Sequence, residues 1–196
     1  MTRFLVGITG GMASGKSTVV RRLADSGFHV IDADQVVAEL YGPGAAGANA
    51  LSKLLGPDVL DASGAVNKPK VAAAMFSQPD LRRAVEHAIH PLVHGRFRDK
   101  ASQLDGVVVY EATLLVESGH ATSFDLTISV EADEEKRLRW AIARGMTEGD
   151  ARARLKAQGD GERRRQGVDR ILHNDGSLED FHQAIDELID ELRGRI

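Results

Sequence analysis

The sequence contains no cysteine, and no run of apolar residues approaches the ~20 that a membrane-spanning helix requires. The lack of cysteine excludes disulfide bonds, thiolate metal sites and cysteine nucleophiles. The formal net charge of −4 gives no reason to expect general affinity for nucleic acids or membranes. A strand is predicted within the first few residues, so we expect no signal peptide. These absences favour a cytoplasmic enzyme with no nucleic-acid or membrane partner.

One motif stands out, the segment from Gly10 to Ser17, which fits the phosphate-loop pattern G-x-x-x-x-G-K-[ST]. Its glycines let successive backbone N–H groups face a phosphate, and the following helix adds its positive end. In such loops the lysine, here Lys16, reaches the β- and γ-phosphates, and the hydroxyl of Ser17 ligates Mg²⁺. We therefore predict that ATP and Mg²⁺ bind here. The predicted nucleotide-binding residues are Gly11, Met12, Ala13, Ser14, Gly15, Lys16, Ser17 and Thr18.

Carboxylates follow two of the predicted strands. Asp32 and Asp34 come directly after the strand 28–31, and Glu111 ends the strand 107–110. Ligands of open α/β sheets bind at these strand ends, where a carboxylate can accept a proton from a substrate hydroxyl or hold Mg²⁺ through water. The alternative roles are structural, because one aspartate can cap the following helix and Glu111 can cap or form a salt bridge. We favour Asp34 for chemistry and leave both roles open for Glu111.

Further apolar runs at 4–9, 126–130 and 170–172 complete a set of five predicted strands, with helical stretches between them. This alternation predicts an α/β protein of the P-loop NTPase fold, with an open, parallel five-stranded sheet flanked by helices. The length of 196 residues suits one domain with insertions. The predicted nucleotide-binding core comprises 1–41, 101–133 and 167–196.

Residues 42–100 interrupt the sheet and are predicted to form a helical insertion. The predicted helices lie at 48–55, 69–76 and 79–92. An insertion of this size in a kinase usually holds the acceptor substrate. His90 precedes Pro91, which is expected to bend or restart the helix. His90 either faces a ligand or packs, and packing is the more usual role of such a residue.

The segment 134–166 is the most basic part of the chain, and two helical pieces are predicted in it. Arginines on a mobile lid neutralise charge on a transferring phosphoryl group when the lid closes. Acidic residues are interspersed, so most of these arginines are expected to lie on a solvated face. We predict that Arg139 and Arg144 reach phosphate. Nucleic-acid binding through this segment is disfavoured, because the chain as a whole is acidic.

With these pieces placed, the chain resembles the dephospho-CoA kinase family over nearly its full length. The phosphate loop alone is shared by many kinases. The loop, the D-A-D element and the H-P element in this order and spacing are much more specific. The residues that carry the resemblance are 6–18, 31–34, 90–93, 114–117, Gln158, Asp169 and 174–176.

The resemblance implies phosphorylation of the ribose 3′-hydroxyl of dephospho-CoA by ATP. It implies that Asp34 activates this hydroxyl, that 42–100 is the CoA-side domain, that 134–166 is the lid and that Asn174 lies near adenine. The residues implied in acceptor binding are Thr9, Asp34, Lys68, His90, Glu111 and Leu115.

The sequence departs from the family pattern in several places. Lys68 stands where arginine is common, which keeps the charge but loses the two-pronged geometry. The family's D-I-P-L-L-F-E becomes 111–117 here, with Thr113 in place of proline. In the lid, an ungapped match places Ala143 at the family's second arginine, with Arg144 one residue later. Since a helix turns by about 100° per residue, Arg144 can substitute only if the helix ends or shifts there.

The sequence thus predicts an ATP- and Mg²⁺-dependent dephospho-CoA kinase, with a monomer favoured. One alternative is a kinase of the same fold that acts on a nucleoside, a nucleotide or a sugar acid. Another is a nucleotide-dependent switch or binding module that hydrolyses ATP only slowly. A panel of acceptors distinguishes the two kinases, and a lack of acceptor-stimulated ADP release would identify the switch.

Overall fold

A computed structural model describes residues 3–77, 79–159 and 161–195. The remaining residues, 1, 2, 78, 160 and 196, belong to segments predicted above and lie outside these ranges. The chain divides into two compact units, one formed by 1–30 with 104–196 and the other by 31–103. None of the described helices combines the length and the apolar character needed to cross a membrane.

The sheet has five strands, each within one residue of its predicted bounds. They are β1 (Arg3–Gly10), β2 (His29–Asp32), β3 (Gly106–Glu111), β4 (Leu126–Glu131) and β5 (Arg170–His173). Their order is β2-β3-β1-β4-β5. Strand β1 pairs in parallel with β3 and β4, and β4 pairs in parallel with β5. The predicted parallel five-stranded sheet is therefore confirmed.

Helices follow the strands in the alternation that the sequence predicts, except between β3 and β4, where only a short 3-10 helix is found. In chain order the α-helices are α1 (Lys16–Asp25), α2 (Ala33–Leu40), α3 (Ala46–Leu55), α4 (Lys68–Ser77), α5 (Pro79–Ser102), α6 (Glu134–Ala143), α7 (Glu148–Gln158), α8 (Glu162–Gln166) and α9 (Leu178–Arg193). Short 3-10 helices lie at Pro57–Val59 and Ala121–Ser123. The two predicted lid pieces correspond to α6 and α7, and α8 is an additional short helix in the same segment.

The core of the first unit lies between the sheet and helices α1 and α9. Buried residues of β1, β3 and β4 pack there with the apolar faces of both helices. Helix α9 begins at a capping box, in which Ser177 and Asp180 each accept from the other's backbone N–H. Leu178, the first residue of this helix, is 67% exposed. It lies in the first turn, where α9 has not yet reached the core.

The second unit consists of helices α2 to α5 around a separate apolar core. Its buried members include Leu51, Val71, Val85 and Ile89. The insertion predicted at 42–100 lies within this unit, which also contains α2. Glu39 of α2 forms ion pairs with two cations of α5, so α2 is tied to the longest helix of its own unit.

Helix α5 continues through Pro91 to Ser102, so a restart at this proline and the predicted end at residue 92 are both wrong. Proline lacks the N–H for the helical hydrogen bond and usually bends or ends a helix. Here the buried face continues beyond it, because Phe97 and Ala101 extend the four-residue spacing of Val85 and Ile89 and are 0% and 2% exposed. Burial of this second half stabilises the helix by more than one lost hydrogen bond costs.

Candidate functional site

The phosphate-loop motif lies between the end of β1 and the start of α1. Gly15 is the N-cap of α1 with a φ of 105°, a left-handed conformation that favours glycine. A Cβ at Gly15 would also collide with Asn174. Asn174, directly after β5, donates from Nδ2 to the backbone carbonyl of Ser14 at 3.0 Å. No described side chain caps α1, and the Thr18 N–H donates to the Gly15 carbonyl at 2.9 Å, which leaves the N–H groups of Lys16 and Ser17 at the start of the helix for an anion.

Lys16 is held by a carboxylate from the neighbouring strand. Its amine donates to Oε1 of Glu111 at the end of β3, and both side chains are about one-sixth exposed, at 16% and 17%. A salt bridge was one of the two roles predicted for Glu111. The pair places one carboxylate beside the lysine of the phosphate-loop motif, with the exposed Ser17 next in sequence.

These oxygen donors fit Mg²⁺, which usually takes one or two carboxylates and completes its shell with water and substrate phosphates. The candidates are the Ser17 hydroxyl and the Glu111 carboxylate. Among the described residues, no three histidine, aspartate or glutamate side chains cluster closely enough to hold a metal unaided.

Two of the residues implied in acceptor binding are buried. Thr9 is 0% exposed, and its hydroxyl donates to the carbonyl of Thr113 at 3.0 Å. Leu115 is 1% exposed and packs so closely against Gly7 that a Cβ on that glycine would collide with it. Both side chains thereby hold the segment that follows Glu111 in place.

The lid packs on the phosphate loop. A small cluster joins helices α6 and α7 to the loop, and its members are Leu138, Ala141, Met146, Ala151, Leu155, Met12 and Ala13. At the end of α7, the side-chain oxygen of Gln158 accepts a hydrogen bond from the Met12 N–H at 2.8 Å. These contacts determine which face of α6 lies against the loop.

A cavity of about 460 Å³ opens beside the start of α1. Trp140 of α6, Phe181 and Leu178 of α9, and Asn174 line it, together with Thr18 of α1. The volume is within the range of small-molecule sites. An aromatic side chain, apolar neighbours and an amide form a suitable surface for a nucleobase.

The two arginines favoured from sequence occupy different places. Helix α6 ends at Ala143, and Arg144 is its C-cap residue, exposed and lining the cavity. The condition under which Arg144 could replace the family's arginine, a helix that ends at this point, is therefore met. Arg139 lies on the exposed side of α6.

A third arginine, Arg137, lies on the buried face of α6 against the phosphate loop. It is 5% exposed, and its Nη1 is so close to Gly11 that a Cβ on this glycine would overlap it. Neither Nε nor Nη1 has a hydrogen-bond partner among the described residues. Burial lowers the pKa of the Arg137 guanidinium, and the charge of Arg164 lowers it further.

Arg164 of α8, in contrast, is fully paired. Its Nε and Nη2 donate to the two carboxylate oxygens of Glu131 at 2.7 and 3.1 Å, and Ser129 donates to the same carboxylate. Burial acts to raise the pKa of Glu131, but the hydrogen bonds from Arg164 and Ser129 and the charges of Arg164 and Arg165 hold it below its ordinary value. Glu131 is therefore an anion committed to Arg164.

Other predicted site residues belong to the second unit. The carboxylate of Asp32 accepts from the N–H of Asp34 at 2.7 Å and caps α2, which is the structural role predicted for one of the two aspartates. The Asp34 carboxylate is left exposed. Lys68 is exposed at the start of α4, and His90 lies half-buried on α5.

Sequence reasoning gave no role to Arg137, Glu131, Trp140 or Gln158. Gln158 carried part of the family resemblance, and Trp140 is the one tryptophan of the chain, so both could have been noticed. The sequence does not distinguish Arg137 from the basic residues around it, because the burial of its side chain depends on how α6 packs against the loop.

Comparison with known proteins gives a consistent result. A family model described as dephospho-CoA kinase matches residues 4–180. The dephospho-CoA kinase of Streptomyces avermitilis is 39% identical over 93% of this chain and 91% of its own length. That of Corynebacterium glutamicum is 35% identical over 97% and 98%.

Solved structures agree in fold. The protein TT1252 from Thermus thermophilus superposes with a TM-score of 0.81 at 32% identity, covering 98% of this chain and 99% of the other. A dephospho-CoA kinase from Campylobacter jejuni superposes with a TM-score of 0.73 at 21% identity, covering 100% of both chains. The second comparison supports the fold alone.

Proposed function

Since the chain belongs to the dephospho-CoA kinase family, we propose that it transfers the γ-phosphoryl group of ATP to the ribose 3′-hydroxyl of dephospho-CoA. The products are coenzyme A and ADP. The observation that carries the proposal is the phosphate loop itself, where the Lys16–Glu111 pair lies at one side and a cavity of about 460 Å³ lies at the start of α1.

ATP binds with its base in that cavity, against Trp140 and beside Asn174. Its phosphates then lie along the loop, where N–H groups of the loop and of the first turn of α1 donate to their oxygens. The Lys16 amine exchanges its bond to Glu111 for one to a phosphate oxygen. Arg144, at the end of α6, supplies a further positive charge to the bound nucleotide, and Arg139 is retained as a second candidate.

Ser17 would hold Mg²⁺ directly, and Glu111 or Asp32 would contribute through water. When bound, Mg²⁺ would neutralise charge on the β- and γ-phosphate oxygens. Once Lys16 has turned to the phosphates, the Glu111 carboxylate is released from its salt bridge and is available for this role.

The second unit binds the acceptor, and Lys68 and His90 are the candidate residues that contact it. The 3′-oxygen of dephospho-CoA attacks the γ-phosphorus as the bond from that phosphorus to the β–γ bridging oxygen breaks. Asp34 accepts the proton of the hydroxyl, and ADP leaves. The exposed carboxylate of Asp34, left free because Asp32 caps α2, is suited to this role. Thr9 and Leu115 act by positioning the segment after Glu111.

The proposal includes a monomer in the cytoplasm, where ATP is available.

The test measures ADP release from ATP and Mg²⁺ with and without dephospho-CoA, and identifies the product by mass. We expect strong stimulation by dephospho-CoA and formation of coenzyme A. ATP binding without stimulation would contradict the assigned acceptor. Nucleosides, nucleotides and sugar acids would then be screened in the same assay.

A further inference from the structure

Arg137 is a buried arginine, and two of its three guanidinium nitrogens have no hydrogen-bond partner among the described residues. Its side chain lies on the face of α6 that packs on the phosphate loop and is 5% exposed. No described residue accepts a hydrogen bond from its Nε or its Nη1. A buried cation costs free energy unless an anion or several acceptors satisfy it. Such a group points to a ligand that completes it.

The charges around Arg137 do not balance. The nearby carboxylate, Glu131, is paired through both oxygens with Arg164. Glu131 acts on Arg137 through its charge alone, as do Glu134 and Asp133 at the start of α6, and the charge of Arg164 opposes them. Glu131 also has a second arginine beside it, because Nη1 of Arg165 lies 4.0 Å from its Oε2. The cluster of Arg137, Arg164 and Glu131 carries one uncompensated positive charge.

The uncompensated charge faces the loop that binds phosphate. The Nη1 of Arg137 abuts Gly11, and Arg164 approaches the same glycine from α8. The hydroxyl of Ser14, 1% exposed in the same loop, also has no partner among the described residues. Two unsatisfied buried polar groups thus adjoin one short segment.

We propose that Arg137 binds the terminal phosphate of the nucleotide, and that the Glu131–Arg164 pair holds it in place. The inference rests on the proposed ATP site. The cavity assigned to the base lies at the Gly15 end of the loop, beside Thr18. Gly11 is at the opposite end, so the phosphate farthest from the base is the one that Arg137 meets. Arginine suits this position, because its planar fork donates two parallel hydrogen bonds to phosphate.

This assignment distinguishes three arginines on and near one helix. Arg144, at the C-terminus of α6, lines the base cavity. Arg139 is two residues from Arg137 and so is turned about 200° around the helix, onto the exposed side. Arg137 alone of the three lies against Gly11.

The test replaces Arg137 with a neutral side chain of moderate length, Arg137→Gln, and measures the affinity for ATP, ADP and AMP by calorimetry. The matched control is Arg154→Gln, which removes an exposed arginine from α7. We expect ATP to bind about ten- to a hundredfold more weakly to Arg137→Gln, because a hydrogen-bonded charge contact is lost. AMP affinity should change by less than about threefold, and the control should match the wild type.

Thermal unfolding without nucleotide distinguishes a phosphate-binding role of Arg137 from a structural role. If Arg137 binds phosphate, the unfolding midpoint of Arg137→Gln should equal or exceed that of the wild type, because the substitution removes a buried unpaired charge. If Arg137 is structural, the substitution should lower the midpoint and reduce the affinities for ATP and AMP equally, which would overturn the proposal. Unchanged ATP affinity would overturn it as well.

A second variant, Arg137→Lys, keeps the charge and loses the fork, and its ATP affinity should lie between those of the wild type and Arg137→Gln. These binding measurements need no acceptor. A wild-type protein that binds ATP but does not phosphorylate dephospho-CoA would contradict the proposed function and leave the role of Arg137 open to the same test.

Discussion

Gln158 at the end of α7 accepts a hydrogen bond from the backbone N–H of Met12 at 2.8 Å. Residues 146 positions apart in sequence are thereby joined, and the phosphate loop is tied to the lid. An N–H of a phosphate loop normally serves an anion. In this protein a neutral side-chain oxygen from the lid satisfies one of them.

Two substitutions of Gln158 distinguish the effect of this hydrogen bond on stability from the effect of a charge at this position on ATP binding. Gln158→Leu removes the acceptor and should lower the free energy of unfolding by about 1 kcal/mol. Gln158→Glu keeps an acceptor and should retain stability, but its negative charge beside the phosphates should weaken ATP binding several-fold. Urea unfolding and ATP titration of both variants provide the measurement. Equal stability loss in both would contradict the stabilising role of this hydrogen bond, because Gln158→Glu keeps the shape of the side chain and an acceptor for the Met12 N–H.

The close approach of Gly11 and Arg137 gives a test that does not remove the arginine. In Gly11→Ala the new Cβ would overlap Nη1 of Arg137 and displace it, so ATP affinity should fall about as far as in Arg137→Gln. In the double variant the second change should add little, because both act on one contact. Gly149→Ala is the control, since a Cβ on that lid glycine meets nothing within 4 Å. If the losses in ATP affinity were additive in the double variant, Gly11 and Arg137 would act on ATP independently, which would contradict this prediction.

Trp140 provides a direct test of the base cavity. As the one tryptophan in the chain, it reports binding through its own fluorescence, and both ATP and AMP should change that signal. Trp140→Ala should weaken both nucleotides alike, by roughly fivefold to a hundredfold, because a base–aromatic stack is lost. Equal effects on ATP and AMP would contrast with Arg137→Gln, which should affect ATP alone. Phe76→Ala, at an aromatic residue that is 95% exposed, should change neither.

The sequence predicts what depends on local pattern. The five strands, the phosphate loop and the two helices predicted within 134–166 all appear where they were predicted, because each follows from residues adjacent in the chain. The division between Asp32 as a cap and Asp34 as a free carboxylate also follows from local hydrogen bonding.

Features that depend on distant contacts were not predictable. Helix α5 continues through Pro91 because residues beyond the proline are buried. The residues next to Pro91 in sequence do not predict that burial. Arg137 and Arg139 are equivalent as sequence, yet packing of α6 on Met12 and Ala13 places one against the loop and the other in solvent. The sequence therefore identified the lid as arginine-rich without showing which arginine faces the loop.

The lowered pKa of Glu131 predicts how the free energy of unfolding should vary with pH. Its pKa in the folded protein is held below the ordinary glutamate value of about 4.3. As the pH falls, Glu131 therefore takes up a proton in the unfolded chain before it does so in the folded protein. The stabilisation by this carboxylate is complete above the pKa of the unfolded chain and is lost as the pH falls through the lower pKa of the folded protein. Glu131→Gln should be less stable at pH 7, because Arg164 loses its partner, and should show a shallower loss of stability below pH ~4.3. Denaturant unfolding from pH 7 to pH 3 measures both.

The two aspartates after β2 should respond in opposite ways. Asp32 caps α2 through the N–H of Asp34, so Asp32→Ala should lower the free energy of unfolding by about 1 kcal/mol. Asp34 makes its bond through the backbone and leaves its carboxylate exposed, so Asp34→Asn should unfold like the wild type. If Asp34 accepts the proton of the 3′-hydroxyl, its kcat should fall by about 10²- to 10⁴-fold with little change in KM. Near-normal kcat in Asp34→Asn would rule out this base, and the proton would then have to leave by another group or by water.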